Sequence, residues 1–282
     1  MTLEHLAALL KLLLYAGALA GGGAALAEAS LRRGPGEAGS KGSWTIAAGG
    51  LTAALAALAG ALLLMRRLDL ELDRPSLEAV FGGPAGVALG AQVLGGLLLM
   101  VAAWRSALRP LRLAGSLLLL GSFGLVGHAG SISYWSGLLA AAHLSTAGWW
   151  LGGLLQVRQA CSMLGAEPLA ALVRRFSRQA LLVVGAMVAS GAILVFVLVS
   201  PTLEAWSTPY ARTLALKIAL AAGALAIANT NRTRFLPRLE AGQPGAASSL
   251  DRAVCFEIVL IAGTLAVTAW LTTFHSPYDA GS

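Results

Sequence analysis

Eight apolar runs of about 20 residues, separated by short polar connections, leave this chain little choice but to fold inside a bilayer. They cover residues 4–29, 43–65, 85–104, 111–129, 135–157, 178–200, 211–231 and 252–273. A helix of that length crosses a hydrocarbon core of about 30 Å. The connections carry the breakers: Arg33-Gly34-Pro35-Gly36, Arg74-Pro75, Arg109-Pro110, Glu167-Pro168, Pro201, Pro209, Pro237 and Pro244. No connection is long enough to fold by itself. The expected architecture is an all-α polytopic membrane protein, a single domain over 1–282 built as a bundle of eight transmembrane helices. The third run is the weakest, because 80–96 is rich in Gly.

Composition agrees where it bears on this. Charged residues make up 12% of the chain, against about 25% in soluble domains. The 34 glycines would weaken soluble helices, but in lipid small residues let helices approach closely. Gly17/Gly21, Gly86/Gly90 and Gly148/Gly152 show the four-residue spacing that such packing uses. Ala25-Leu26-Ala27 resembles a signal-peptidase site. The apolar run before it, however, exceeds the usual core of about 7–15 residues and lacks a basic leader, so it reads as the first spanning helix.

The net charge of +7 does not point to nucleic acid, because the Arg residues lie in short loops beside apolar runs. Fourteen Lys and Arg residues follow helices one, three, five and seven: Arg32, Arg33, Lys41, Arg105, Arg109, Arg112, Arg158, Arg174, Arg175, Arg178, Arg232, Arg234, Arg238 and Arg252. Four lie on the other side: Arg66, Arg67, Arg74 and Arg212. The positive-inside rule then places both termini outside the cytoplasm, which is the periplasm for a bacterial inner membrane. Tyr134, Trp135, Trp206, Tyr210, Trp270 and Tyr278 cluster at the same outer ends, as an interfacial belt does.

The segment Ser131–Gln156 holds one ionisable residue, His143, about two turns inside a spanning helix. An imidazole at that depth needs a partner or a job. His5, His128 and His275 fall on the same outer side. His5 opens helix one and His143 lies early in helix five, while His128 closes helix four and His275 follows helix eight. That pattern fits a weak 4+4 parallel repeat, 1–130 and 131–282. Imidazole suits copper, zinc, iron and nickel, so His5, His128, His143 and His275 are the candidate metal ligands, with Met1 or Met187 as a soft thioether. Glu4 and Asp279 are acidic residues near that face. The bland readings are solvated ends for His5 and His275, a backbone-bonded interfacial residue for His128, and an interhelical hydrogen bond for His143.

Lys217, two turns into helix seven, either snorkels to the headgroups or faces the histidines as a counter-charge, with Glu204 as a pairing partner. Lys11 poses the same question. Trp149 and Trp150 lie deeper than a belt and read first as core packing. Asn229 and Asn231 read as helix caps, and Arg232, Arg234 and Arg238 as contacts to anionic lipid. Cys161 and Cys255 form neither a disulfide framework nor a thiolate site. No nucleophile elbow, phosphate-cradling loop or paired catalytic carboxylates occur, so the chain is not expected to be an enzyme or an ATP-driven pump.

Three motifs carry a resemblance. His143-Leu-Ser-Thr-Ala147-Gly-Trp-Trp150-Leu-Gly152-Gly153, the Gly127-His128-Ala129 close of helix four, and Pro209-Tyr210 followed by Leu216-Lys217-Ile218-Ala219-Leu220, Asn231-Arg232 and Leu236-Pro237-Arg238-Leu239 resemble the CopD/PcoD copper-resistance membrane proteins. The resemblance implies an inner-membrane protein of copper homeostasis that moves copper from periplasm to cytoplasm, beside a periplasmic partner of the CopC type. His128, His143 and Lys217 take family-level interest from it, with Trp150 and Met187 as further transport-associated positions. His5 fits a less constant N-terminal histidine, and His275 matches no family motif. The chain lacks a fused CopC-like domain and a Met-rich tract. The alternative is a haem b protein, similar to HemJ-like proteins or b-type cytochromes, with His128 and His143, or His5 and His143, as paired axial ligands.

Overall fold

The structure, a computed structural model, describes residues 2–31, 40–198 and 208–275, without the side chains of residues 40, 41, 128 and 129. Met1, Glu204, Trp206, Tyr278, Asp279, Arg32 and Arg33 lie outside the described residues, as do the Arg33–Gly36 and Pro201 breakers. The described residues are almost all helical and contain no strand.

Among the described residues, seven helices are long and apolar enough to cross a membrane. They are α1 (Leu3–Leu31), α2 (Ser40–Arg67), α4 (Pro84–Ala102), α7 (Tyr134–Cys161), α8 (Ala166–Leu198), α9 (Pro209–Glu240) and α10 (Ala246–Phe274). A short amphipathic helix, α3 (Arg74–Phe81), joins α2 to α4. Its start is capped by Asp73, which accepts from the Ser76 amide at 2.9 Å.

The expected fourth span is broken. The run 111–129 forms α5 (Arg109–Gly121), one 3₁₀ turn at Ser122–Gly124, and then the separate short helix α6 (Gly127–Ile132). At 1.5 Å per residue, α5 rises only about 20 Å, short of the full core. Gly127 sits at φ 81°, a left-handed conformation that glycine takes at no steric cost, and the chain turns there before α7. Two proline signals mark positions other than breaks. Pro168 sits in the first turn of α8, where no intrahelical bond is lost. Pro237 follows a π-helical turn at Asn231–Phe235 that lets α9 continue.

Helix α1 is the centre of the bundle, packed by α2, α5, α7 and α10. Its glycines make this geometry. A Cβ on Gly17 would lie 2.7 Å from the Gly49 carbonyl oxygen, and one on Gly23 would lie 1.9 Å from the Gly148 carbonyl oxygen. The Gly17/Gly21 and Gly148/Gly152 pairs thus mark true close crossings. Gly86/Gly90 does not: a Cβ on Gly90 meets nothing within 4 Å. Gly95, Gly96 and Gly115 serve that role for α4, α2 and α5 instead. Outside the bundle the apolar pattern inverts, with Leu182 80% and Phe196 81% exposed, as a lipid-facing surface requires.

Polar links tie the helix ends. Where α1 begins, Glu4 pairs with Arg67 at 3.6 Å, and Lys11 Nζ donates to the Thr272 carbonyl at 2.7 Å. That bond answers an unpaired carbonyl of the last turn of α10, so Lys11 is not a snorkelling residue. Where α1 ends, Arg112 meets Glu28 at 3.2 Å, both within a tenth of full burial, and Arg109 donates to the Ala29 carbonyl. Arg112, counted from sequence among the loop cations, is therefore a buried structural residue. Trp44 and Trp104 pack edge to face at this same end, so interfacial aromatics are not confined to the histidine end.

Candidate functional site

His143 lies on α7 about 14 Å from its start, facing α8. Its Nδ1 is 2.9 Å from the Met187 carbonyl oxygen. A carbonyl can only accept, so Nδ1 carries the proton and the Nε2 lone pair is left for another partner. The approach is allowed because the next turn of α8 carries Gly191: a Cβ there would lie 2.9 Å from His143 Cε1. Ser190 closes the same wall, with Oγ 3.4 Å from Nδ1. Its hydroxyl donates to the Ala186 and Met187 carbonyls, at 2.8 and 3.0 Å. Lys217 on α9 is half-buried and acts electrostatically on the imidazole. No carboxylate pairs with it among the described residues, and Glu204 lies outside them.

The interhelical hydrogen bond of the bland reading is thus present, and its form is also the one seen in metal-binding histidines. Such residues donate the non-ligating N–H to a carbonyl or carboxylate, which sets the tautomer and the ring direction. Met187 contributes its backbone to this seat, while its side chain is buried in the main core.

The other histidines stand apart from this seat. His5 Nδ1 lies 2.6 Å from Thr2 Oγ1, and the ring packs on Trp270 and Phe274 with centroids at 6.1 and 5.4 Å. His275 directly follows α10. The backbone of His128 lies in α6 at the end where α7 begins, and its side chain is not among those described. Among the described residues no three His, Cys, Asp or Glu side chains converge. The four-histidine cluster expected from sequence is therefore not assembled from the described side chains. Nothing in this wall favours the haem alternative, since the imidazole packs directly against the α8 backbone.

A second polar centre escaped the sequence reading. Glu257 on α10 is 1% exposed, and Asn231 Nδ2 donates to its Oε2 at 2.8 Å. Trp150 from α7 is a neutral neighbour of the carboxyl. Asn231 stands at the C-cap of the α-helical stretch Pro209–Thr230 and opens the π-helical turn that continues α9, while its side chain goes to Glu257. A lone carboxylate inside an apolar run was the available signal, since intramembrane ionisable residues have functional or structural causes.

Residues 170–271 match the family model described as copper resistance protein D, CopD. That stretch, just over a third of the chain, is similar to the CopD family. It contains most of α8 and all of α9, with α10 as far as Leu271, and so holds Met187, Ser190, Gly191, Lys217, Asn231 and Glu257. His143 and Trp150 lie outside it but pack on it. Neither the curated proteins nor the solved structures give a match. The seven membrane-length helices among the described residues suggest a multi-pass membrane protein, and its stretch 170–271 is similar to a copper-resistance family.

Proposed function

We propose that this protein carries copper across the bacterial inner membrane, from periplasm to cytoplasm, with His143 as the ligand that receives the ion. The observation that carries the reading is the Nδ1–H···O=C bond to Met187, which presents a neutral, oriented Nε2 next to the CopD segment. A protein carrier of this kind performs no chemical turnover. Both termini then lie in the periplasm, and a periplasmic copper-binding protein of the CopC type is the matching donor. His5, His128 and His275 lie toward the same mouth in sequence order and act as outer stations. Lys217, beside the imidazole, opposes a bound cation and thereby favours its onward movement; Trp150 and Met187 line the route further in.

The test is copper-dependent accumulation in cells carrying His143→Ala. Accumulation should fall to the level of cells without the protein while membrane insertion stays normal. Unchanged accumulation removes His143 from the route.

A further inference from the structure

Helix α10 brings a carboxyl group into the bundle about 16 Å from the helix start, where no cation among the described residues pairs with it. Glu257 is 1% exposed and Asn231 8% exposed. The groups that act on the carboxyl are Trp150 and Asn231, both neutral. Asn231 Nδ2 donates to Oε2, yet Glu257 Oε1 and Asn231 Oδ1 have no hydrogen-bond partner. An anion buried without a counter-charge is strongly disfavoured, and each orphaned buried acceptor is disfavoured as well.

One proton removes all three costs. On Oε1 it neutralises the carboxyl and turns that oxygen into a donor. The free acceptor Oδ1 belongs to the same amide that already donates to Oε2. An acid and an amide have complementary edges, so the added O–H closes a two-bond pair.

We propose that Glu257 and Asn231 form a proton-binding site in the membrane core, where the carboxyl is held as the neutral acid against the amide and exchanges its proton with water. The reading is independent of copper binding at His143.

Infrared spectra of the full-length protein in lipid nanodiscs at neutral pH test this. The wild type should show a protonated-carboxyl C=O band that shifts on transfer to D₂O and is missing in Glu257→Gln. A wild type without the band, a band retained in Glu257→Gln, or a band that does not respond to D₂O overturns the proposal. If Glu257→Gln does not accumulate, Asn231→Leu decides. Losing the amide partner should move the band to higher frequency, and an unmoved band overturns the pairing.

Discussion

The seat of His143 can be disturbed without touching His143. In Gly191→Ala the new Cβ falls 2.9 Å from Cε1 and 3.2 Å from Nδ1 of the imidazole, where ordinary contact begins at 3.4 Å. The helix backbone cannot yield easily, so the ring retreats by about half an ångström. The Nδ1···O distance then grows from 2.9 Å to about 3.4 Å, beyond the usual hydrogen-bond range. Losing one such bond is worth about 1 kcal/mol, or about fivefold in affinity. Competition of purified protein with a colorimetric chelator for copper(I) reads this directly. Gly185→Ala is the control, because a Cβ there meets nothing within 4 Å; its affinity should match wild type. In a His143→Ala background, Gly191→Ala should have no further effect. The reasoning is refuted if Gly191→Ala binds like wild type, or if its effect persists once the imidazole is gone.

Other outcomes follow from the same packing. Arg112→Met removes the cation 3.2 Å from the buried Glu28 and should cost about 1–3 kcal/mol; adding Glu28→Gln should restore part of it, as read by denaturant unfolding in micelles. Additive losses would mean that the 3.2 Å pair is not coupled. Gly23→Ala drives a Cβ to 1.9 Å from the Gly148 carbonyl oxygen and should cost about 1–3 kcal/mol or abolish insertion, whereas Gly90→Ala should be neutral or slightly stabilising. Equal melting temperatures for the two would remove the close crossing of α1 and α7. Lys217→Met should leave melting unchanged but alter copper accumulation if the ammonium faces the route; identical accumulation identifies a snorkelling side chain.

Much of this protein is written in one dimension. Apolar runs of bilayer length determine that it is an all-helical membrane protein, because lipid offers backbone groups no other partners. The lone imidazole in 135–157 was equally legible, since a buried ionisable residue stands out against Leu and Ala. The short motifs around Lys217 and Asn231 lie in the stretch that matches the CopD model, whereas the one around His143 lies outside it. Other features depend on what neighbouring helices bring within a few ångströms. Sequence order could place the histidines toward one end, but only packing determines that His5 goes to Trp270 and Phe274 while His143 goes to Met187. Glycine spacing looked alike at Gly86/Gly90 and Gly148/Gly152, but nothing lies within 4 Å of a Cβ on Gly90, whereas Gly23 of α1 faces both Gly148 and Gly152. The broken fourth span turns on the φ of Gly127, and the roles of Arg112, Asn231 and Glu257 on partners 84 and 26 residues away in the chain. Hydropathy sums over a window and reports the solvent; hydrogen bonds and contacts depend on distances between segments, which no window contains.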